Sequence, residues 1–220
     1  MRRITILLLL VALLGSFGLM AQEEACTNTE EIQIVIDACI ALRDAAATGD
    51  ITALKQAAIA LKECKTDMFS ELCFNEDSVE SLDGHLVFDE AFADSLAKGR
   101  DVYRSANAIY RSATLRGQKN SGYYTRTFCI KAEKSAKYTF SSKGPQELAV
   151  VAESGGLVSM KVHFTDSNGL NEWRIDDTDF KRGRPFRKMA YNPPTRYRYN
   201  VELEVFNRSG CDIAFVVISN

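Results

Sequence analysis

Apolar residues recur every three to four positions through the first half of the chain and every second position through most of the second half. The first spacing is that of a helix with one buried stripe, the second that of a strand with one buried face. Asn28 can cap a helix, and Glu31 stands three residues on, as in a capping box. Ile32, Val35, Ile36, Cys39 and Ile40 follow on one face. Gly49 is a natural stop and Asp50 a natural new cap. Ile51, Leu54, Ala57, Ala58 and Leu61 then continue the period, so residues 29–66 read as a helical hairpin. One further turn is expected over 68–74, then an acidic surface connection over 75–84. Asp89 is expected to cap a long helix carrying Phe92, Leu96, Tyr103, Ala106 and Tyr110 and ending at Gly117.

Beyond Gly117 the period changes. Residues 118–122 are polar and glycine-bearing and mark the boundary between two domains, 22–117 and 123–220. Strands are expected over 123–130, 136–141, 147–153, 157–165, 196–206 and 213–218. Lys143-Gly144-Pro145 and Ser154-Gly155-Gly156 supply turn chemistry between them. Tyr197, Tyr199, Val201, Leu203 and Val205 alternate with Arg198, Asn200, Glu202 and Glu204, the pattern of an antiparallel strand with one wet side. The fold class is α+β: an N-terminal helical bundle followed by a C-terminal antiparallel β-sandwich of jelly-roll type.

The N-terminus changes the setting in which this fold is read. Met1-Arg2-Arg3 precedes the apolar run Ile4–Leu14, then Gly15, Ser16 and Gly18, then Ala21 before acidic Gln22-Glu23-Glu24. This is the three-part signal-peptide pattern over residues 1–21, so the mature protein is expected to be secreted or periplasmic. The apolar run is too short to cross a bilayer, and no membrane span is expected after cleavage. Export turns the six cysteines toward disulfides. Cys129 is expected to pair with Cys211, and Cys26, Cys39, Cys64 and Cys73 among themselves. No Cys-x-x-Cys pair suggests zinc.

The near-neutral total charge of −2 hides an asymmetry. Residues 22–99 hold 17 Asp and Glu against 5 Lys and Arg, while residues 100–220 hold 12 against 20. The densest basic run, Lys181-Arg182-Gly183-Arg184-Pro185-Phe186-Arg187-Lys188, is broken by Gly and Pro and reads as a loop. It suits an anionic glycan, an envelope component or a protein partner, or docking onto the acidic helical half. Export makes nucleic acid an unexpected partner. Trp173, the single tryptophan, lies nearby and could stack on a sugar ring. The candidate ligand-binding residues are therefore Trp173, Lys181, Arg182, Arg184, Arg187 and Lys188.

Catalytic signals are sparse. His85 lies in the acidic connection, and His163 lies in a strand on the side away from Val162 and Phe164. Neither sits in a nucleophile elbow, and no catalytic residue is assigned. Asp166, Asn168, Glu172, Asp176, Asp177 and Asp179 are the densest oxygen ligands, and calcium is the only cofactor they suggest.

The strand segments 137–140, 148–153, 156–162, 201–207 and 215–217 together resemble the jelly-roll-type modules of secreted bacterial proteins, such as pre-peptidase C-terminal domains and carbohydrate-binding sandwiches. The resemblance covers roughly the second half and implies a sandwich fold. No calcium or secretion role is carried over from the resemblance. The expected function is an exported non-catalytic binding module. The alternatives are a secreted hydrolase using a histidine–carboxylate pair, and a purely structural scaffold.

Overall fold

The computed structural model describes residues 29–68, 79–106, 108, 122–166, 172–176, 183–191 and 198–220. The signal sequence, Cys26, Cys73 and all of the expected 118–122 boundary except Gly122 lie outside these residues.

The hairpin forms as the apolar spacing requires. Helix α1 spans Thr29–Thr48 and helix α2 spans Ile51–Cys64. Gly49 takes a left-handed φ of +67°, which closes α1. The Asp50 side chain accepts hydrogen bonds from the Thr52 and Ala53 amides at 2.8 and 3.1 Å and starts α2. Ile32, Val35, Ile36, Cys39 and Leu42 line the buried side of α1 and meet Leu54, Ala57 and Ala58 of α2.

Helix α3 differs from expectation in length. Asp89 caps it by accepting from Ala91 N and Phe92 N, but it spans only Glu90–Ala97. Gly99 adopts φ +69° and its amide bonds Leu96 O, so the chain turns away two residues past the last helical position. Tyr103 then lies in a 3-10 turn, Tyr103–Ser105, with its ring edge-on to Phe92 at 5.5 Å. The expected continuation through Tyr110 to Gly117 lies outside the described residues.

The rest is two sheets. Strands β1 (Asp67–Met68), β2 (Val79–Glu80), β3 (Tyr124–Ile130), β5 (Gln146–Ala152), β8 (Phe186–Tyr191) and β10 (Ile213–Ser219) form the first, in the order β1-β3-β10-β5-β8, with β2 also on β3. Strands β4 (Ser135–Lys143), β6 (Val158–Asp166), β7 (Glu172–Asp176) and β9 (Arg198–Asn207) form the second, in the order β4-β9-β6-β7. All the long pairings are antiparallel, and only the two-residue β1 runs parallel to β3. Met68 thus joins a sheet rather than a helical turn, and Val79 and Glu80 of the expected surface connection pair with Ile130 and Cys129.

Burial explains why the two sheets read differently in the sequence. One core lies between the sheets and contains Phe128, Tyr138, Val150, Phe164, Leu203 and Phe215. A second core lies between the helices and the outer side of the first sheet, where Ile36, Leu42 and Phe92 meet Cys129, Val151, Val216 and Ile218. The first sheet is covered on both faces, so β5 and β10 are buried at every position and carry continuous apolar runs. Among the described residues the second sheet is covered on one face only, and β9 alternates accordingly, with Tyr199, Val201, Leu203 and Val205 buried. Complete burial of each large apolar side chain contributes about 1.5–3 kcal/mol, so the two cores supply most of the driving force.

Candidate functional site

Among the described residues, the outer face of the second sheet is polar. Pairing register builds it row by row. Lys137, Glu204, Lys161 and Asp176 stand side by side across β4, β9, β6 and β7. The next row is Thr139, Glu202, His163 and Arg174, and the next Ser141, Asn200, Thr165 and Glu172. Lys137 Nζ reaches Glu202 Oε1 diagonally at 3.9 Å, and Ser141 Oγ donates to Asn200 Oδ1 at 3.0 Å. At one end the Arg208 guanidinium lies 3.8 Å from the Phe206 ring centre and its Nε donates to Ser159 Oγ at 3.0 Å. Basic and acidic positions alternate across the first row, and the three rows together combine donor and acceptor positions with no strong excess of either charge. His163 is half-buried here, on the face opposite Val162 and Phe164, as its strand position requires.

The basic run does not form one loop. Phe186, Arg187 and Lys188 belong to strand β8, which hydrogen-bonds along the edge of β5. The reason is the open edge of β5: a strand buried on both faces needs its backbone groups paired on both sides. Alternation then divides the run. Arg187 pairs with Val150 of the inter-sheet core, whereas Lys188 pairs with Ala149 of the helix-facing core, so the two occupy opposite faces of the sheet. Arg184 is exposed and its backbone bridges Val158. Lys181 and Arg182 lie outside the described residues, as do Asn168, Asp177 and Asp179 of the calcium candidate cluster. Trp173 lies in β7 at the register position opposite Phe164, not in a loop. Among the described residues, the helices and the first sheet meet through apolar side chains.

A second cluster forms around His85, the histidine that the hydrolase alternative pairs with a carboxylate. His85 Nδ1 lies 2.7 Å from Glu153 Oε1, and the Cys129 thiol is close enough to act on the ring electrostatically. These contacts push the imidazole up to about 10, the Cys129 thiol contributing most, Glu153 next, and burial opposing them. Glu153 is committed further: it accepts from Leu86 N at 3.0 Å and from Ala214 N at 2.7 Å. A thiol, an imidazole and a carboxylate in line are the parts of a nucleophilic triad. However, Cys129 is completely buried, and structural cysteines in such surroundings are inert. His85 and Glu153 are 68 positions apart, and no local motif joins them.

The described cysteines are all free thiols. The expected Cys129–Cys211 bridge is not formed. Cys129 points into the helix-facing core from the middle of the sheet, while Cys211 is exposed in the turn before β10. Cys39 and Cys64 are also unbridged; burial and the neighbouring Cys64 push the Cys39 thiol far up. No group of three or more metal-ligating side chains occurs among the described residues, and no helix among them is long and apolar enough to cross a membrane.

No family model and no curated relative matches the chain. Solved structures with a related sandwich include the Yersinia pseudotuberculosis-derived mitogen, 11% identical, covering 44% of this chain and 84% of that one at a TM-score of 0.32. The module TmCBM61 in complex with β-1,4-galactotriose is 11% identical over 44% of this chain and 81% of its own, at 0.28. The Salmonella Typhimurium periplasmic inhibitor of g-type lysozyme is 14% identical over 48% and 92%, at 0.28. Carbohydrate-binding and jelly-roll-like sandwiches recur among these neighbours. At such TM-scores the likeness is loose, and no function follows from it.

Proposed function

We propose that the protein is an exported, non-catalytic glycan-binding module whose ligand lies on the uncovered face of the β4-β9-β6-β7 sheet. The observation that carries this reading is the contrast between the two sheets. Helices cover the outer face of one, while the outer face of the other presents Thr139, Ser141, Asn200, Glu202, Lys161 and His163 on rigid strands. Carboxylates, amides and hydroxyls at fixed spacing along and across strands match the hydroxyl pairs of a sugar chain, and rigid strands keep the ordering cost of binding low. The balance of charge on this face favours a neutral or weakly charged glycan over a strong polyanion. The hydrolase alternative would rest on the His85–Glu153 pair, whose carboxylate also accepts from the Leu86 and Ala214 amides.

The test is a glycan array followed by calorimetry with the purified chain. Asn200→Ala and Glu202→Gln should each weaken binding at least about tenfold, a loss of about 1.4 kcal/mol, while thermal stability stays unchanged. Binding that ignores both substitutions but falls with Arg184→Ala or Lys188→Ala and with added salt would move the site to β8. Binding to no glycan would defeat the reading.

A further inference from the structure

We propose that the glycan bound on the uncovered sheet face carries a carboxylate, held at one end of that face by Lys143 and Arg198. The inference rests on the glycan-binding reading and names the class of sugar it takes. Lys143 closes β4, Arg198 opens β9, and the two are directly opposed in the pairing register. Strand alternation places Lys143 on the side of Lys137, Thr139 and Ser141, and Arg198 on the side of Asn200 and Glu202, so both stand on the uncovered face. Both side chains are exposed. Opposed residues of an antiparallel pair have Cβ atoms about 5 Å apart, so two positive charges are held side by side. The register that holds them is fixed from below. Phe140 and Val201 pair in the inter-sheet core, and the Tyr199 hydroxyl donates to Gly144 O at 2.5 Å. Like charges directly opposed in a sheet are destabilising, so the fold itself gains nothing from this pair.

The surroundings do not neutralise it. Among the described residues neither Lys143 nor Arg198 makes an ion pair. Strand β4 carries no acid, and the first acid along β9 after Arg198 is Glu202, which Lys137 Nζ approaches at 3.9 Å. The next outward position on β9 adds a donor. Asn200 Oδ1 accepts from Ser141 Oγ at 3.0 Å, which leaves the amide NH2 of this exposed residue for a ligand. Glu172 holds a register position in the Asn200 row, two strands away on β7. An ammonium, a guanidinium and an amide thus share one corner of a face that elsewhere mixes donors with carboxylates. The guanidinium fork matches both oxygens of a carboxylate, and the ammonium supplies a second charge-assisted contact. A bound carboxylate replaces one repulsion with two attractions. The corner is confined to one end, and Glu202 and Glu204 lie further along β9. The face therefore suits a chain with an isolated uronate residue rather than a polyanion.

The probes are uronate-containing oligosaccharides and their methyl esters, which keep the sugar skeleton and remove the charge, printed on one array and titrated with the purified chain. The acids should bind at least about tenfold more tightly than the esters at low salt, and the gap should narrow as salt is added. Lys143→Gln and Arg198→Gln should each bring the acid-to-ester ratio toward one. Lys55→Gln, which removes the same charge from an exposed position of α2, should leave the ratio intact. Thermal midpoints at low salt should hold or rise in Lys143→Gln and Arg198→Gln, because each relieves a repulsion. A fall in both would show that the pair serves the fold and would overturn the proposal. Sulfated oligosaccharides bound in place of the uronates would overturn it as well. Acids and esters bound equally, with loss in Glu202→Gln, would overturn this proposal and leave the glycan face standing. Binding to no member of the array overturns both.

Discussion

The rings of Phe164 and Tyr191 stack with centroids 3.9 Å apart and planes 19° from parallel, joining β6 of one sheet to the edge strand β8 of the other. Tyr199 approaches both rings edge-on, at 5.8 and 6.0 Å. This trio closes the end of the sandwich where β7 and β8 lie. Phe164 is completely buried, so Phe164→Ala should cost about 3–5 kcal/mol in chemical denaturation. Tyr191 is half-buried and its loss should cost less. A double-mutant cycle between the two should return a coupling of about 1 kcal/mol; a coupling near zero would show that the stack adds nothing beyond separate burial.

Gly183 illustrates a different constraint. Its φ is +64°, and a Cβ added there would lie 2.7 Å from Arg208 Cβ and 2.9 Å from Arg208 Cγ. Backbone and space both select glycine at the point where the chain enters β8 beside the Arg208–Phe206 contact. Gly183→Ala should destabilise the fold by about 1–3 kcal/mol. In an Arg208→Gly background, which removes both clashing atoms, the added loss should shrink toward the backbone share, and equal losses in both backgrounds would remove the steric part of this account.

Asp50 holds the Thr52 and Ala53 amides of α2, and the helix presents no acidic residue in its first turn to assist it. Asp50→Ala should therefore cost about 1 kcal/mol, and Asp50→Ser should recover most of it, because a serine hydroxyl caps by the same geometry. Thermal denaturation of the three proteins decides this; an alanine variant as stable as the parent would mean that the hairpin is held by its core alone.

What was legible in the sequence was whatever short-range periodicity encodes. Asp50 and Asp89 announce their helices because a cap is a local hydrogen bond between near neighbours. The alternation of residues 198–207 announces a strand covered on one face. Strand β8 was not legible, because the residues that make it a strand are those of β5: Arg187 and Lys188 pair there to complete a buried edge, against their own loop-like composition. The length of α3 was misjudged because Gly99 falls between apolar positions that keep helical spacing through Ala106, and only the left-handed φ reveals the stop. The contact of His85 with Glu153 and Cys129 is set by topology alone. Of the uncovered polar face, each strand's wet side was readable, but the rows that cross four strands were not, since they depend on a strand order that departs from chain order.

The His85 contacts also fix how stability should depend on pH. The imidazole is raised from its ordinary value of 6.5 to about 10, so the folded chain holds a proton that the unfolded chain releases earlier. Its contribution is therefore complete below 6.5, declines as pH rises above that value, and is gone once pH passes about 10. Other groups enter at the upper end: the raised thiol of Cys39 begins to act above its ordinary value of 9.0, and the raised phenols of Tyr103 and Tyr123 above 10.0. The interval between 6.5 and 9.0 thus isolates His85. Urea midpoints measured across it should fall with rising pH, with a slope no steeper than about 1.4 kcal/mol per pH unit, as one proton allows. In His85→Asn the same interval should be nearly flat. A parent protein whose midpoint stays constant over this interval would show that the imidazole is neutral in the fold and that the Leu86 and Ala214 amides alone hold the Glu153 charge.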